Sequence, residues 1–477
     1  MNQISSNLPP RIVIIGGGFS GAAVARSLAE LELPVIVTVI EPREELGRGL
    51  AYSSANPTHR INVPGQRMSL DPTNRDDFVD WLASAEVEGR VAPDKAAVHD
   101  NAEIFTRRAV YGQYVAERVE PHVASGRIRH IRDRAEHVQE LPNGSFILTL
   151  SDGARIPADV LVLATGHPPP GLAKPFDQVA DHPALIADPY DLEAIAAVPH
   201  KARVLVVGAA LTSADVIAAL DGQGFAGKIT SISRHGLRSR GHGEVSLDFE
   251  VSFTDPPLAG TSDLLARVRH ALIDAEACGH TWHTVFHHLR LQGQEIWATL
   301  GPDGRSRLMR HLRTLWDVHR YRLAPQVEQV IDRLIAGERL RYIGGYLKSA
   351  TAKDGQLVVK WRRRGTARIE TRIFDRVIIT TGPAHARSIE TNPILSRLHE
   401  LGHITPDPLG LGIATTETCH ALDREGQPSR RVFVAGPLAR GHIGELVGAP
   451  ECGSHALSVA RDIADYALRQ PIAPFPY

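Results

Sequence analysis

The chain has 477 residues, 43% of them hydrophobic and 22% charged, with a formal net charge of −1. It is long enough for two or three domains with cores of their own, and it carries no global basic field to hold nucleic acid or an anionic membrane. Its cysteines, Cys278, Cys419 and Cys452, form no CxxC pair, which removes the redox-dithiol flavin enzymes and points to a reducing compartment.

The opening MNQISSNLPP has neither the basic nor the apolar region of a secretory signal, and no apolar run suffices to span a bilayer, so a cytoplasmic protein is expected. Residues 11–41 then run in the order of a dinucleotide-binding βαβ unit. A β-branched run (Arg11–Ile15) enters the glycine turn GGGFSG, a small-residue helix follows, and a second β-branched run stops at Glu41. Gly16 suits the tight turn, Gly18 the approach of backbone N–H groups to a pyrophosphate, and Gly21 close packing of helix on strand. Glu41 can accept hydrogen bonds from a ribose. Residues 47–72, rich in glycine, proline and polar types, read as a long ordered loop. Short helices are expected over 76–82 and 105–120, then strands across 145–166 that end in a buried apolar run.

A second unit of the same kind occupies 203–234. Its strand is Arg203–Val207, its turn Gly208-Ala209-Ala210, and its helix opens Leu211-Thr212-Ser213, so Ala210 and Ser213 stand in place of the second and third glycines. Glu41 lies 25 residues beyond Gly16, and the same step from Gly208 reaches Ser233, followed by Arg234. A carboxylate suits a free ribose, whereas a hydroxyl and a guanidinium suit a 2′-phosphate, so NADPH is expected at this unit. Arg238 and Arg240 add positive charge nearby.

Residues 257–340 are helical in pattern and hold Trp282, Trp297 and Trp316. Within them Arg307–Arg322 reads as one helix whose buried stripe is Leu308, Leu312, Leu315 and Trp316. Its arginines and histidines form either a solvated face or a clamp for an anionic substrate or for NADPH phosphates. His280, His283 and His287 share helical spacing, yet no carboxylate completes a metal motif, and no metal is expected. Residues 355–382 repeat the strand, turn and strand of 145–166, and Asp159-x3-Leu-Ala-Thr165-Gly166 is echoed by Asp375-x3-Ile-Thr-Thr-Gly382. Two such echoes read as two crossings between domains. The expected architecture is α/β, with two Rossmann-like dinucleotide-binding domains, the second inserted in the first. Residues 1–168 and 383–477 would form the outer domain, and 169–382 the inner one with its helical segment. The C-terminal part adds a strand at Arg431–Ala435, the segment GPLARG with Gly436 and Pro437, and a final helix at Ser454–Leu468.

With GGGFSG, ATGHPPP, ITSISRHGL, RLMRHLRTLWDVHRYRLAP and VFVAGPLARG in place, the chain resembles the flavin monooxygenase group with two dinucleotide domains. More closely, it resembles the bacterial FAD–NAD(P)-binding oxidoreductases that include an FAD-dependent urate hydroxylase. Asp159–Gly166 also resembles the crossing of N-hydroxylating monooxygenases. The resemblance implies FAD at the N-terminal site, held by Gly16, Gly18, Gly21, Glu41, Thr165, Gly166, Gly436 and Pro437. It implies NADPH at the internal site, held by Gly208, Ala210, Thr212, Ser213, Ser233 and Arg234. Asn62, in INVPGQRMSLDP, would lie beside the isoalloxazine ring and hydrogen-bond a flavin–oxygen adduct; its local alternative is an Asx-turn before Pro64. Glu445 reads as a helix cap, or as a group that orients a substrate or acts on the flavin environment. Gly444 stands where related sequences carry an aromatic residue, so the pocket over the flavin is expected to lose a wall. The implied activity is NADPH-dependent hydroxylation of a small polar substrate, a purine-like heterocycle or an amine, by dioxygen through a flavin C4a-hydroperoxide. The alternatives are an NAD(P)H–flavin oxidoreductase that inserts no oxygen, and a flavin-binding redox sensor.

Overall fold

β-Branched runs and the glycine turns after them build two sheets in the computed structural model, which describes residues 9–469. Most of the N-terminal stretch read for a signal, and residues 470–477 of the expected outer domain, lie outside the described residues. The chain lays down β1 (Arg11–Ile15), β2 (Ile36–Ile40) and β3 (Ile128–Ile131), then an antiparallel meander of β4 (Ala135–Glu140), β5 (Phe146–Leu150) and β6 (Arg155–Ala158). There follow β7 (Val160–Leu163), β8 (Leu185–Ile186), β9 (Arg203–Val207) and β10 (Lys228–Ser233). After a helical stretch come β11 (Leu340–Lys353), β12 (Gln356–Arg363), β13 (Ile369–Phe374) and β14 (Arg376–Ile379), and last β15 (His420–Leu422) and β16 (Pro428–Val434).

One sheet has the order β15-β16-β7-β1-β2-β3, the other β13-β12-β11-β10-β9-β14-β8. The parallel core β7-β1-β2 of the first recurs as β14-β9-β10 in the second. The strands at both centres are buried on both faces, which is why they read as unbroken apolar runs rather than alternating ones. The aspartate echo has a matching physical role in each sheet. Asp159 accepts from the Arg11 backbone N–H, Nε and Nη2, each at 2.9 Å. Asp375 takes the same three donors from Arg203, at 2.6, 3.1 and 3.0 Å. Each fork ties the start of a turn-bearing strand to the strand beside it. Between the sheets the chain crosses twice, and the crossings touch: Pro170 pairs with Pro383, and the Ala384 N–H donates to the Pro169 carbonyl at 3.2 Å.

The helical stretch comprises Thr261–Ala277, Trp282–Leu291, Gly293–Thr299, Pro302–His311, Arg313–Arg320 and Pro325–Ala336. A separate small core of Phe253, Leu264, Ala271, Val285, Leu289 and Ile296 holds its first helices together. Arg307–Arg322 is therefore not one helix. Leu312, at φ −112° and ψ −16°, separates two, and the stripe of Leu308, Leu312, Leu315 and Trp316 lines a cavity rather than a filled core, which leaves Leu315 47% exposed. Loop 47–72 is broken by a helical turn at Gly49–Tyr52 and a 3-10 turn at Gly65–Arg67. The last helix begins before the expected Ser454, at Ala449, and lies along the helix Phe19–Glu30. Among the described residues no helix is long and apolar enough to cross a membrane.

Candidate active site

The glycines of the first turn do different work. A Cβ on Gly16 would collide with the Ala164 carbonyl oxygen, and one on Gly21 with the oxygen of Gly16, so the packing of the chain itself demands both glycines. Gly18 is different: a Cβ there would meet only the Gly49 Cα, at an ordinary 3.5 Å. Gly18 caps the Phe19–Glu30 helix with no side-chain hydrogen bond, so the first N–H groups of that helix are left for an anion. Glu41 is buried beneath the turn; its Oε2 accepts from the Gly17 N–H at 2.9 Å, and its Oε1 from the Arg43 N–H at 3.0 Å and Arg43 Nη1 at 2.9 Å. Each carboxylate oxygen has two acceptor directions, so Oε2 keeps one for a ribose hydroxyl. Thr165 and Gly166 follow β7 directly behind Gly16, with the Thr165 Cα 3.1 Å from where a Gly16 Cβ would stand. Gly436 has φ +74° and backs onto Ser20 of the same helix, which puts Gly436-Pro437 at its N-terminus too. The residues present thus form a cradle that suits a dinucleotide.

The second unit repeats the geometry with different side chains. A Cβ on Gly208 (φ +133°) would meet the Thr380 carbonyl oxygen at 2.5 Å, the counterpart of Gly16 over Ala164. Ala210 caps the Leu211–Gly222 helix, again with no side-chain hydrogen bond. Buried Ser213 donates its hydroxyl to the Ala210 carbonyl at 2.6 Å, and Thr212 lies in the same first turn. At the end of β10 the Ser233 hydroxyl accepts from the Gly236 N–H at 2.9 Å, and Arg234 is exposed. Arg238 is spent on Asp332 at 2.6 Å. A further cation, missed in the sequence, joins Arg234: the Arg364 N–H donates to the Gly344 carbonyl at 2.9 Å, beside His235. Burial, then the charges of Arg364 and Arg234, hold His235 below the usual imidazole range.

Asn62 and Glu445 lie where the outer domain meets the inserted helices. The Asn62 carbonyl accepts from His242 Nε2 at 3.1 Å. Its side-chain amide has no hydrogen-bond partner among the described residues, so no Asx-turn forms there. Glu445 is not a helix cap. Its Oε1 accepts from Trp316 Nε1 at 2.7 Å and its Oε2 from Arg320 Nε at 2.9 Å. Arg320 also reaches Glu451 Oε1 at 3.0 Å, and Arg290 Nη2 reaches the same oxygen at 3.0 Å. The basic segment therefore divides: Arg307, Arg310 and His311 face solvent, the Arg313 side chain is 43% exposed at the cavity, and Arg320 and Arg322 turn inward. His280, His283 and His287 also go separate ways. His283 stacks on Trp282 with centroids 3.7 Å apart, His280 sits edge-on to Phe249, and His287 stands beside His288.

The wall expected to be lost at Gly444 is supplied from elsewhere. A Cβ on Gly444 (φ +84°) would lie 2.8 Å from the Trp297 Cγ, so an inserted-domain indole fills the space of a side chain at 444. Trp297 is anchored by its Nε1, which donates to the Gly441 carbonyl at 3.0 Å. Beside it lies a cavity of about 470 Å³, walled by residues such as Leu264, Phe286, Leu308 and Trp316, with Asp317, Arg440 and Glu445 at its edge. The walls are mostly apolar where a small polar substrate was expected.

Residues 13–168 match the FAD-NAD(P)-binding family model. No curated protein matches the chain. Among solved structures, L-lysine 6-monooxygenase from Pseudomonas syringae is 16% identical with a TM-score of 0.65, covering 97% of this chain and 99% of that one. Ornithine hydroxylase from Pseudomonas aeruginosa is 14% identical with a TM-score of 0.64, covering 96% and 99%. Ornithine N-hydroxylase from Kutzneria, solved with reduced FAD, NADP+ and L-ornithine, is 14% identical with a TM-score of 0.62, covering 97% and 99%. At such identities the likeness is one of fold. The chain has the α/β fold of flavoproteins with two dinucleotide-binding domains, and its N-terminal third carries the FAD-NAD(P)-binding signature.

Proposed function

We propose that the protein is an NADPH-dependent FAD monooxygenase, with residues 1–168 and 383–477 as the FAD domain and 169–382 as the NADPH domain. The observation that carries this reading is the pair of uncapped helix N-termini at two glycine turns, one backed by a buried carboxylate and the other by exposed guanidinium groups. Gly18 and the Phe19–Glu30 helix bind the FAD pyrophosphate, and Glu41 holds its ribose. Thr165, Gly166, Gly436 and Pro437 line the same cofactor. Gly208, Ala210, Thr212 and Ser213 bind the NADPH pyrophosphate, while Ser233 and Arg234 receive the 2′-phosphate. Bound FAD supplies electron transfer from NADPH to dioxygen. The unpartnered Asn62 amide offers a hydrogen-bond donor next to that chemistry, and Glu445, fixed by Trp316 and Arg320, orients the substrate. Trp297 and the apolar walls keep water out.

An amine nitrogen is the favoured site of oxygen insertion over a purine-like ring, because the solved neighbours are named for hydroxylating ornithine and lysine. The test is anaerobic reduction by NADPH followed by rapid mixing with oxygen. The reading expects NADPH to bleach the flavin and a transient absorbing species to precede the return to oxidised flavin. Immediate reoxidation with one peroxide released per NADPH would make the protein an oxidoreductase without oxygen insertion. Failure of NADPH to reduce the flavin would leave a redox sensor.

A further inference from the structure

The apolar cavity is lined by a buried guanidinium, Arg440, that no carboxylate among the described residues pairs with directly. Arg440 is 9% exposed and is part of the cavity lining. Its Nε has no hydrogen-bond partner, and its Nη1 meets only His385 Nε2, at a long 3.4 Å. Burial, then the charge of Arg440 itself, push the His385 pKa down to about 3, so this imidazole is neutral and contributes no counter-charge. The two carboxylates at the cavity are already engaged. Asp317 faces Arg313 at 3.4 Å, and Glu445 is held by Arg320 and Trp316. Arg269, also in the lining, is exposed to solvent. Asp317 feels the charges of both Arg313 and Arg440, so one carboxylate is shared between two guanidinium groups, and a buried cation with an unpartnered Nε is strongly unfavourable.

We propose that this cavity is the substrate site, that Arg440 is its anion-binding group, and that the ligand is an organic acid with a bulky aromatic or branched aliphatic body. The leucine, phenylalanine and tryptophan walls select the body, and a volume of about 470 Å³ is in the range of sites that enclose a small organic molecule. The guanidinium selects the head group, since its fork matches a carboxylate. This deepens the monooxygenase reading by naming a substrate class: an organic acid that carries its amine nitrogen on the same molecule, the carboxylate and not the amine being what the cavity binds. It rests on that reading for the fate of the ligand and not for its binding.

Trp282, Trp297 and Trp316 all line the cavity, so binding is readable from quenching of tryptophan fluorescence in the FAD-loaded full chain. The probes are phenylbutyrate, phenylbutanol and phenylbutylamine, which share a body and differ in head group. The acid is expected to bind about tenfold or more tighter than the alcohol, with the amine weakest. Arg440→Gln should erase the advantage of the acid and leave the affinity for the alcohol within about twofold. Because Arg440 is buried, Leu308→Trp provides a second arm. It takes up cavity volume without removing the guanidinium and should weaken acid and alcohol alike. Equal binding of the three probes, preference for the amine, or full binding in Leu308→Trp would overturn the proposal. NADPH reduction of the same samples is scored separately. Acid-selective binding without flavin reduction removes the monooxygenase reading and supports the pocket assignment.

Discussion

Substitution of Gly18 and of Gly21 by alanine should have opposite effects, although the two lie three residues apart in one turn. Gly18 sits at φ −66° and ψ −171°, extended backbone that any residue adopts, and its added methyl would meet only the Gly49 Cα at 3.5 Å. In the FAD-free protein Gly18→Ala is therefore neutral or stabilising by about 0.4–1 kcal/mol, because the unfolded chain loses freedom. The space the methyl takes is the space a pyrophosphate needs against the backbone. Losing one hydrogen bond to a charged group costs about 1.5–3 kcal/mol, which predicts FAD binding roughly ten- to a hundredfold weaker. The methyl of Gly21→Ala points into the Gly16 carbonyl oxygen, so it overpacks the turn with or without cofactor, at a cost of about 1–3 kcal/mol or more. Titration of deflavinated protein with FAD, followed by flavin fluorescence, together with thermal melts of the FAD-free variants, separates the two effects. If Gly18→Ala binds FAD like the parent, or Gly21→Ala melts like it, the division of labour among these glycines is wrong.

Arg320→Met leaves the Glu445 carboxylate with no cation and only Trp316, while Glu451 keeps Arg290, and should cost about 3–5 kcal/mol, part of it regained in the double variant with Glu445→Gln; a loss under about 1 kcal/mol in urea denaturation would show that solvent replaces the arginine. Arg234→Ala and Arg364→Ala should each reduce the preference for NADPH over NADH about tenfold, read from the ratio of kcat/KM values, and an unchanged ratio would remove them from a 2′-phosphate site. Burial depresses His167 and His455 to about 4 and His242 to about 3. Since the unfolded chain protonates these imidazoles near 6.5 and the folded chain does not, stability is complete above that pH. It should fall by up to about 1.4 kcal/mol per pH unit per histidine as pH drops from there toward the folded values. Equal unfolding midpoints at neutral pH and at about pH 5 would contradict their burial as neutral rings.

The two dinucleotide units were legible because their signal is local: strand, turn and helix lie within one stretch, and the turn constrains residue type directly. Replacement of glycine by Ala210 and Ser213 weakened the sequence signal but left the geometry, because the helix there has room for a Cβ and Ser213 uses its hydroxyl to bond Ala210. The aspartate echo was visible as spacing, while its partners Arg11 and Arg203 were not, since a pairing across 148 or 172 residues leaves no mark on either segment. Arg364 was missed for a similar reason: the hairpin of β11 and β12 brings it back beside Arg234. The misplaced Leu315 has another cause. Periodicity found the right face, but a sequence does not show that the face borders a cavity instead of a filled core. Gly444 suggested an open wall because a sequence position shows only its own side chain, and the indole that fills the space comes from residue 297.

The paired crossings at Pro170 and Pro383 have a mechanical consequence. The chain between them hangs from a strap of two short segments side by side, and no strand is shared between the two large sheets across it. Away from the strap the two parts are tied by Arg108 on Asp215 at 2.8 Å, Gln326 on the Ala96 carbonyl at 2.6 Å, His242 on Asn62, Arg290 and Arg320 on Glu451, Trp316 and Arg320 on Glu445, Trp297 on Gly441, and Phe105 plugged into the core of the second sheet. Three of these, at His242, Arg290 and Phe105, lie close around the proposed reaction site. A single substitution at Phe105 would thus loosen the tie between the two parts and unseat His242, the ring it packs against, which holds the Asn62 carbonyl.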